Sequence, residues 1–400
     1  MSGATPSILI VGGGIAGCSA AIALSQAGAR VEVVESQAEW KFASSGIFVY
    51  SNGLDCLADL GALDGILDAG FAIPGGRNLY FEADGTPIVE TVYPEGRHGT
   101  PAILGIKRAD LYRVLTTRIA ELGVPVRLGT TVTALENAAE GVSVTLSDGT
   151  SGRYDLVLGA DGLRSDMRAR IGIDVEPRYT GFGVWRAVHE RPAGLASKIM
   201  MMGTGKRFGI MPISDTHLYT FGTVLEEKDA YFAPEDWPRL MAERFAEFKG
   251  PAEPLLAELG PESEILYTAV EEVALPLPWH RGRVLLIGDA AHASTPFMGQ
   301  GGAMAMQDAV VLARLLKTRS VDAALDAFGT IRAPVCRFVQ DVSRRVGEAG
   351  AAEDEAALAG RSERMRATAQ ADVNSFYGEL GRLDAEADGA IETTERLKAS

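Results

Sequence analysis

A glycine-rich turn near the start of the chain leaves few choices for how the surrounding residues fold. Residues 7–11 are β-branched and aliphatic, as in a strand that is buried on both faces of a parallel sheet. Residues 16–27 follow with helical spacing and end at Gly28, and residues 30–34 are a second strand-like run before Glu35. This order predicts a βαβ unit of about 30 residues.

The turn has the glycine spacing of a dinucleotide-binding fingerprint. Its glycines allow a tight bend and a close approach of main-chain N–H groups to a pyrophosphate at the helix N-terminus. The residues expected there are Gly12, Gly14, Ile15, Ala16 and Gly17. Glu35 stands where an acidic side chain accepts the ribose hydroxyls of an adenosine. The unit predicts FAD or NAD, and by itself it leaves the choice open.

A second motif lies near the C-terminal part of the chain and favours a flavin. Residues 283–287 form another buried strand-like run that leads into Gly288 and Asp289. The Asp289 carboxylate can accept hydrogen bonds from a ribityl chain. A helix over residues 303–316 follows, and its N-terminus favours the negative charge that a reduced flavin carries at its pyrimidine end.

A third motif occupies the middle of the chain. Residues 155–159 form a strand-like run that ends in Asp161 and Gly162, before a short charged helix that contains Arg168. The three motifs together closely resemble the class A flavoprotein monooxygenases, the 4-hydroxybenzoate hydroxylase-like family, over residues 7–317.

Within that family the chain is most similar to the salicylate hydroxylase and FAD-dependent urate hydroxylase-like branch. The similarity comes from Trp185-Arg186, Gly205-Lys206-Arg207 and Tyr219. One residue departs from the pattern, because Ala303 stands where many members have Asn. The main chain must then supply any hydrogen bond that this Asn would make.

The resemblance implies a non-covalently bound FAD. It places Arg108 near the diphosphate and ribityl region, the loop from Pro296 to Gly302 beside the isoalloxazine ring, and Asp161, Gly162 and Arg168 near both FAD and NAD(P)H. The implied cofactor residues are Gly12, Gly14, Ile15, Ala16, Gly17, Glu35, Arg108, Asp161, Gly162, Arg168, Asp289, Pro296, Gly299, Gln300, Gly301 and Gly302.

The fold predicted from these patterns is α/β, with an antiparallel insert. A Rossmann-like FAD-binding domain with a parallel sheet comprises residues 1–75, 101–172 and 282–345. An inserted antiparallel β-sheet domain for substrate binding comprises residues 76–100 and 173–281, and one of its strands is expected from Ile265 to Leu275. Helices are expected over 52–70, 107–122 and 238–248. Residues 346–400 form a C-terminal helical segment whose weak apolar spacing is typical of solvated helices. Capping of the FAD domain and pairing of two subunits remain open for this segment.

The inserted sheet is expected to carry the substrate wall, opposite Pro296 of the FAD domain. Arg207 and Tyr219 lie on neighbouring strand-like segments, where a guanidinium and a phenol can together hold a carboxylate, phenolate or ring carbonyl. Arg207, Tyr219 and Pro296 are the candidate catalytic residues, and Arg207, Met211 and Tyr219 are the candidate substrate-binding residues. The competing interpretation of Arg207 is a solvated surface charge.

The function implied by the resemblance is hydroxylation of a small aromatic or heteroaromatic compound. NAD(P)H would reduce FAD, and O2 would form a flavin C4a-hydroperoxide that attacks the ring. The alternatives are epoxidation or Baeyer–Villiger oxidation of a larger polycyclic substrate, and a flavin-dependent reductase or redox-sensing module that does not oxygenate. His292 is interpreted as a structural or cofactor-adjacent residue.

Composition excludes several other classes of protein. A net charge of -15 argues against a nucleic-acid partner, because phosphate contacts need clustered Lys and Arg. The 3 cysteines have no CxxC or metal-ligand spacing, so reduced thiols and no metal site are expected. No apolar run approaches the length of a membrane span. We therefore expect a cytoplasmic monomer or homodimer without a membrane partner.

Overall fold

The computed structural model of the chain describes residues 5–41 and 45–399. Residues 1–4, at the start of the expected FAD domain, lie outside this part. The first elements are β1 (Ser7–Val11), α1 (Ile15–Gln26), β2 (Arg30–Val34), β3 (Gly46–Tyr50), α2 (Ser51–Asp59), α3 (Leu63–Ala69) and β4 (Phe71–Ala72).

The next segment contains a run of short strands and two helices. They are β5 (Arg77–Glu82), β6 (Pro87–Val92), β7 (Ile103–Lys107), α4 (Arg108–Glu121), β8 (Val126–Arg127), β9 (Val132–Ala138), β10 (Gly141–Leu146), β11 (Ser151–Tyr154), β12 (Leu156–Gly159) and α5 (Asp166–Arg170). Strands β9, β10 and β11 form a small antiparallel sheet, and β3, β7 and β4 form another.

The third segment consists mainly of long strands, and the last mainly of helices. The elements are β13 (Arg178–Glu190), β14 (Lys198–Met202), β15 (Lys206–Pro212), β16 (His217–Leu225), α6 (Trp237–Arg244), α7 (Glu253–Ala257), β17 (Ile265–Glu272), β18 (His280–Arg281), β19 (Val284–Leu286), α8 (Asp289–His292), α9 (Gly301–Thr318), α10 (Val321–Gly350), α11 (Glu355–Leu358) and α12 (Arg361–Ala399). No helix of the described residues combines the length and apolarity that a bilayer crossing requires.

A mostly parallel sheet forms the centre of the molecule, in the order β18-β19-β12-β1-β2-β8. Strand β1 pairs in parallel with both β2 and β12, and β12 pairs in parallel with β19. Ile8, Leu9 and Ile10 are 0% exposed, as expected for a strand with both faces covered. The expected α/β fold with a parallel sheet is confirmed.

A second, seven-stranded sheet has the order β17-β13-β16-β15-β14-β5-β6 and is antiparallel except where β14 meets β5. Side chains alternate between its two faces. One face packs with α6 and α7 through residues such as Trp185, Phe208 and Phe245. Arg186 follows Trp185 in the chain, and Arg207 precedes Phe208. Both arginines therefore lie on the other face of the sheet.

Three expectations about individual elements are wrong. The helix expected over 52–70 is two helices, because Gly61 has a φ of 67° and ends the first one. The helix expected over 238–248 ends at Arg244, and the strand expected to reach Leu275 stops at Glu272.

The C-terminal helix α12 is not a solvated helix. Its apolar side chains recur every three or four residues and face the core, where Phe376 is 6% exposed, Leu380 is 2% exposed and Ile391 is 0% exposed. The helix packs against α9, α10 and the edge strand β6. It therefore caps the helices of the parallel sheet and also reaches the second sheet.

Candidate active site

The glycines of the turn after β1 differ in what surrounds them. Gly12 has a φ of 106°, and a Cβ there would lie 2.5 Å from the carbonyl oxygen of Ala160. A Cβ on Gly17 would lie 1.9 Å from the carbonyl oxygen of Gly12. A Cβ on Gly14 would find its nearest neighbour, the Tyr112 hydroxyl, at 3.9 Å. Packing therefore requires the outer glycines, whereas a Cβ on Gly14, at the N-terminus of α1, would make only an ordinary van der Waals contact.

Glu35 lies at the end of β2, at the edge of this turn. Its Oε2 accepts a hydrogen bond of 2.6 Å from the N–H of Gly13. Its Oε1 accepts one of 2.8 Å from the N–H of Gln37. The carboxylate is thereby oriented beside the turn, and its remaining lone pairs can accept ribose hydroxyls.

The N-termini of α1 and α9 lie side by side, and we call the surface beside them the groove. A Cβ on Gly302 would lie 3.7 Å from Cδ1 of Ile15, and a Cβ on Gly288 would lie 2.7 Å from the Cβ of Ala16. Gly301 would have comparable room, with its nearest neighbour at 3.6 Å. Two helix N-termini with free N–H groups therefore face the same space, which favours an anionic ligand.

Arg108 and Asp289 bring opposite charges to this groove. Arg108 begins α4, and its N–H donates a hydrogen bond of 2.8 Å to the carbonyl oxygen of Ser45. Burial lowers the pKa of Arg108, but the neighbouring Tyr112 and Asp289 more than offset this and raise the pKa overall. Asp289 is exposed. An exposed carboxylate next to a guanidinium suits a ligand that carries both hydroxyl and phosphate groups.

Asp161 supports its own loop. Its carboxylate accepts hydrogen bonds of 2.6 Å from the Ser165 hydroxyl and 2.8 Å from the N–H of Met167, at the start of α5. Burial raises the pKa of Asp161, and these hydrogen bonds oppose that shift. Gly162 follows with a φ of 80°, and a Cβ there would lie more than 4 Å from every described neighbour, so this residue faces open space.

Arg168 links the second and third motifs. Its guanidinium donates hydrogen bonds of 3.1 Å to the carbonyl oxygen of Ala290 and 3.0 Å to that of Leu163, and its side chain is buried. Burial lowers the pKa of Arg168. In this arrangement Arg168 positions the loop that contains Asp289.

A buried ionic cluster holds the loop between β19 and α9. Asp308 accepts hydrogen bonds of 2.6 Å from His292, 2.7 Å from Arg332 and 2.8 Å from the N–H of Gly288. Burial raises the pKa of Asp308, but His292 and Arg332 outweigh it and lower the pKa to about 2. Cys336 lies close enough to His292 and Asp308 for a shared metal ion, yet the Arg332 guanidinium already neutralises that carboxylate. His292 is a buried member of this cluster, which agrees with the structural one of the two interpretations drawn from the sequence.

The loop before α9 forms the junction with the second sheet. Pro296–Met298 is a single 3-10 turn, and Gly299 follows with a φ of 64°. A Cβ on Gly299 would lie 2.1 Å from the ring of Phe48, so the loop lies directly on that ring. Gln300 is 1% exposed, and its Oε1 accepts a hydrogen bond of 2.8 Å from Asn52.

A cavity of about 60 Å³ separates this loop from the seven-stranded sheet. Its sheet wall consists of alternate residues of β13, β14, β15 and β16, which share one face because their strands pair in register. The cavity is lined by Phe48, Val184, Arg186, Lys198, Met200, Arg207, Tyr219, Phe221, Thr223, Pro296 and Phe297. We call it the cationic cavity, because it contains two arginines and a lysine.

The structure brings three of the four sequence-predicted substrate-site residues together here: Arg207, Tyr219 and Pro296. Arg207 is 7% exposed, and its guanidinium carbon lies 5.0 Å from the centre of the Phe297 ring. It is therefore not a solvated surface charge. Burial lowers its pKa to about 10, so it stays charged at neutral pH.

Tyr219 and Met211 have different surroundings. Tyr219 is 3% exposed, its ring lies 6.5 Å from that of Phe48, and burial raises the pKa of its hydroxyl. Met211 is 0% exposed and packs in an apolar cluster behind the cavity with residues such as Ile103. Met211 does not line the cavity, because the core covers that end of β15.

Sequence reasoning missed Lys198, Arg186, Phe48 and Phe297 as members of the site. Arg186 donates a hydrogen bond of 2.8 Å to the Thr268 hydroxyl, and burial lowers its pKa to about 10. A charged residue between two apolar neighbours in a strand was the available signal for Arg186, because strand alternation then puts the charge on one face. Lys198 follows the polar Ser197, and neither its position nor those of Phe48 and Phe297 had such a signal.

The groove fits a flavin dinucleotide. It combines two helix N-termini, a carboxylate oriented at the end of β2, room at Gly14 and Gly301, and a loop that leads to the cationic cavity. The family described as "FAD binding domain" matches residues 5–343. The chain belongs to this family.

Relatives of this family member agree with the resemblance drawn from the motifs. It is 33% identical to the aurachin C monooxygenase/isomerase of Stigmatella aurantiaca, over 90% of this chain and 93% of that protein. It is 33% identical to the FAD-dependent urate hydroxylase of Klebsiella pneumoniae subsp. pneumoniae, over 84% of this chain and 87% of that protein. The crystal structure of Klebsiella pneumoniae HpxO with FAD and uric acid matches with a TM-score of 0.83 and 28% identity, over 94% of this chain and 96% of that one.

This family member is an FAD-dependent monooxygenase, as the sequence motifs indicated. Bound in the groove, FAD would supply electron transfer from NAD(P)H and the activation of O2. The N-terminus of α1 would hold the diphosphate, Glu35 the adenosine ribose, and Asp289 the ribityl hydroxyls. The N-terminus of α9 would stabilise negative charge on the flavin ring.

Proposed function

We propose that this monooxygenase hydroxylates a small, flat aromatic or heteroaromatic acid that binds in the cationic cavity. The observation that carries the proposal is the charge of the cavity. Arg186, Lys198 and Arg207 line it, and none of its described lining residues is an Asp or a Glu. A bound anion would balance charges that are otherwise costly to bury.

The lining residues suit such a substrate in shape as well as charge. Phe48 and Tyr219 present ring faces and edges, against which a flat ligand packs. Arg207 can donate a planar pair of hydrogen bonds to a carboxylate, a phenolate or a ring carbonyl, and Tyr219 can add one more. Held in this way, the ring would be oriented toward the loop at Pro296, and water would be excluded from it.

The size of the cavity favours this substrate class over the alternative of a larger polycyclic compound. The free volume of about 60 Å³ is smaller than the roughly 150 Å³ that holds one benzene ring in a protein core, so the walls must move for any substrate and must move further for a polycyclic one. The uric acid in the structure of HpxO is a compact heteroaromatic acid of the same kind.

The proposal is tested with a screen of phenolic and N-heterocyclic carboxylic acids on the FAD-loaded enzyme. We expect at least one acid to accelerate both NAD(P)H oxidation and O2 uptake, and ¹⁸O₂ to label its product with one oxygen atom. Accelerated NAD(P)H oxidation with no labelled product for any acid would favour the non-oxygenating reductase. Turnover of polycyclic compounds alone would favour the epoxidase or Baeyer–Villiger alternative.

Arg207 and Tyr219 provide a matched test with that substrate. Arg207→Ala should raise KM about tenfold to a hundredfold or divert NAD(P)H oxidation into hydrogen peroxide, because a charge-assisted hydrogen bond contributes about 1.5–3 kcal/mol. Tyr219→Phe should do the same more mildly, and FAD content should stay normal in both. The control is Arg239→Ala, since the Arg239 side chain is 57% exposed and lies on α6, which packs on the opposite face of the sheet. Unchanged KM and coupling in Arg207→Ala would contradict this role.

A further inference from the structure

Lys198 reaches the cationic cavity from β14, on the same face of the sheet as Arg207. The residue is 3% exposed. Its Nζ donates a hydrogen bond of 2.8 Å to the hydroxyl of Tyr50. The Nζ also lies 4.8 Å from the ring centre of Phe48, 5.3 Å from that of Tyr50 and 5.5 Å from that of Tyr93. Three aromatic rings therefore surround the ammonium group.

The described residues around Lys198 supply no negative charge. The cations that face it are Arg186 and Arg207, and the phenols near it are Tyr50, Tyr80, Tyr93 and Tyr219. Burial raises the pKa of each of these phenols, so they stay neutral near pH 7. An ammonium group has three donors, and the hydroxyl of Tyr50 accepts only one of them.

Building on the proposed function, we propose that Lys198 is the specificity-determining residue that binds the anionic group of the substrate. The anionic group of the substrate forms an ion pair with the Lys198 ammonium, which has no anionic partner among the described residues. Arg207 donates to a second hydrogen-bond acceptor on the same ring. The enzyme thereby selects ionised acids over neutral amides of the same shape.

The same geometry makes acid binding depend on pH. Burial and the nearby charge of Arg207 lower the pKa of Lys198 to about 7. An anion bound against the ammonium raises that pKa again, so binding takes up a proton whenever the pH exceeds about 7. The affinity for an acid that is ionised throughout should therefore be constant below pH 7 and fall as the pH rises above it.

The experiment uses two acid and amide pairs, benzoate with benzamide and pyridine-2-carboxylate with pyridine-2-carboxamide. Their Kd values are measured by calorimetry from pH 6 to 9 on the FAD-loaded enzyme. The variants are Lys198→Met and Lys198→Arg. The control is Lys206→Met on β15, because Lys206 points to the opposite face of the sheet, where its Nζ donates to the carbonyl oxygen of Arg244 at 2.9 Å.

Wild type and Lys206→Met should bind the acids more tightly than the amides, with an acid affinity that falls above pH 7. Lys198→Met should lose about tenfold to a hundredfold in acid affinity at pH 6, lose the pH dependence, and leave amide affinity unchanged. Lys198→Arg should keep the acid preference and lose the pH dependence, since arginine stays charged. The Tm of Lys198→Met should not fall, because the removal of a buried ammonium without an ionic partner outweighs the loss of its hydrogen bond to the Tyr50 hydroxyl.

Two results would overturn these ideas separately. An acid preference and a pH dependence that persist in Lys198→Met would refute the role of Lys198, and the proposed acid substrate would still stand. If wild type bound neither acid, or bound acids no more tightly than amides, the proposed function would fail, and the role of Lys198 would fail with it.

Discussion

At the scale of single residues, Gly17 is required by the packing of the protein, whereas Gly14 is expected to be required by the bound cofactor. A Cβ on Gly17 would collide with main chain, whereas a Cβ on Gly14 has room within the protein and projects where the diphosphate is expected. Gly14 also has a φ of -72°, which any residue can adopt.

Gly14→Ala should therefore change the stability of the FAD-free protein by less than about 0.5 kcal/mol and still weaken FAD binding. Gly17→Ala should lower the Tm of the FAD-free protein itself. Thermal melts without flavin, together with FAD titrations, check both. Equal losses of Tm in the two variants would contradict the distinction.

The buried pair of His292 and Asp308 makes stability depend on pH from both sides. Burial lowers the pKa of His292, but Asp308 outweighs it and raises that pKa well above its ordinary value of 6.5. The stabilisation from His292 is thus complete below pH 6.5 and is lost as the pH rises through the raised value. The pKa of Asp308 is lowered from 3.8 to about 2, so its stabilisation is complete above pH 3.8 and is lost as the pH falls toward 2.

We expect the contribution of this pair to the free energy of unfolding to be greatest between about pH 4 and 6.5. That contribution should decline as the pH rises above 6.5. His292→Gln should remove the His292 part of the alkaline decline and cost about 3–5 kcal/mol at pH 6, because it breaks a buried pair. Urea unfolding across this pH range measures both effects. An alkaline decline of the same size in the variant would show that other groups cause it.

At the scale of elements, α12 shows how a mostly polar helix becomes part of the core. Charged residues are 14 of its 39 residues, and the narrow apolar stripe that contains Phe376 and Leu380 faces inward. The ring of Phe376 lies 5.4 Å from that of Phe338 on α10, and Tyr377 contacts Tyr50 beside the cavity. The helix thus supports the wall of the cavity as well as the parallel-sheet domain.

Leu380→Ala should lower the free energy of unfolding by about 2–5 kcal/mol, because Leu380 is 2% exposed and its truncation leaves a cavity. Leu380→Met keeps the volume and should cost less than about 1.5 kcal/mol. Denaturant unfolding of the two variants gives the comparison. Wild-type stability in Leu380→Ala would mean that α12 does not pack on the core in solution.

At the scale of the whole molecule, FAD joins elements that are far apart in the chain. Its expected partners come from β1, β2, α4, α8 and α9, so binding should stabilise the native state as one unit. FAD at 100 times its Kd should raise the free energy of unfolding by about 2.7 kcal/mol. FMN lacks the adenosine and second phosphate that α1 and Glu35 would hold, and it should stabilise far less. Equal shifts of Tm with the two flavins would refute the assignment of the first motif.

The parts of this protein that depend on local residue spacing could be predicted from the sequence. The residues from Ser7 to Glu35 encode a complete βαβ unit, and their strand, turn and helix lie within one residue or so of the predicted bounds. The FAD-binding family could be predicted in the same way, because each motif is a short strand followed by a glycine or a carboxylate at a fixed spacing. Such signals need no knowledge of distant contacts.

The residues that line the cationic cavity could not be predicted in this way, because they come together only in the folded chain. Phe48, Lys198 and Phe297 are far apart in the chain, and each has an ordinary local environment in the sequence. They meet because β14 pairs with β15 in one particular register and because the loop at Pro296 folds over Phe48. The burial of Met211 and the inward face of α12 depend equally on what packs against them. Burial and charge pairing are properties of the assembled chain, and so the cavity's unbalanced positive charge became visible only there.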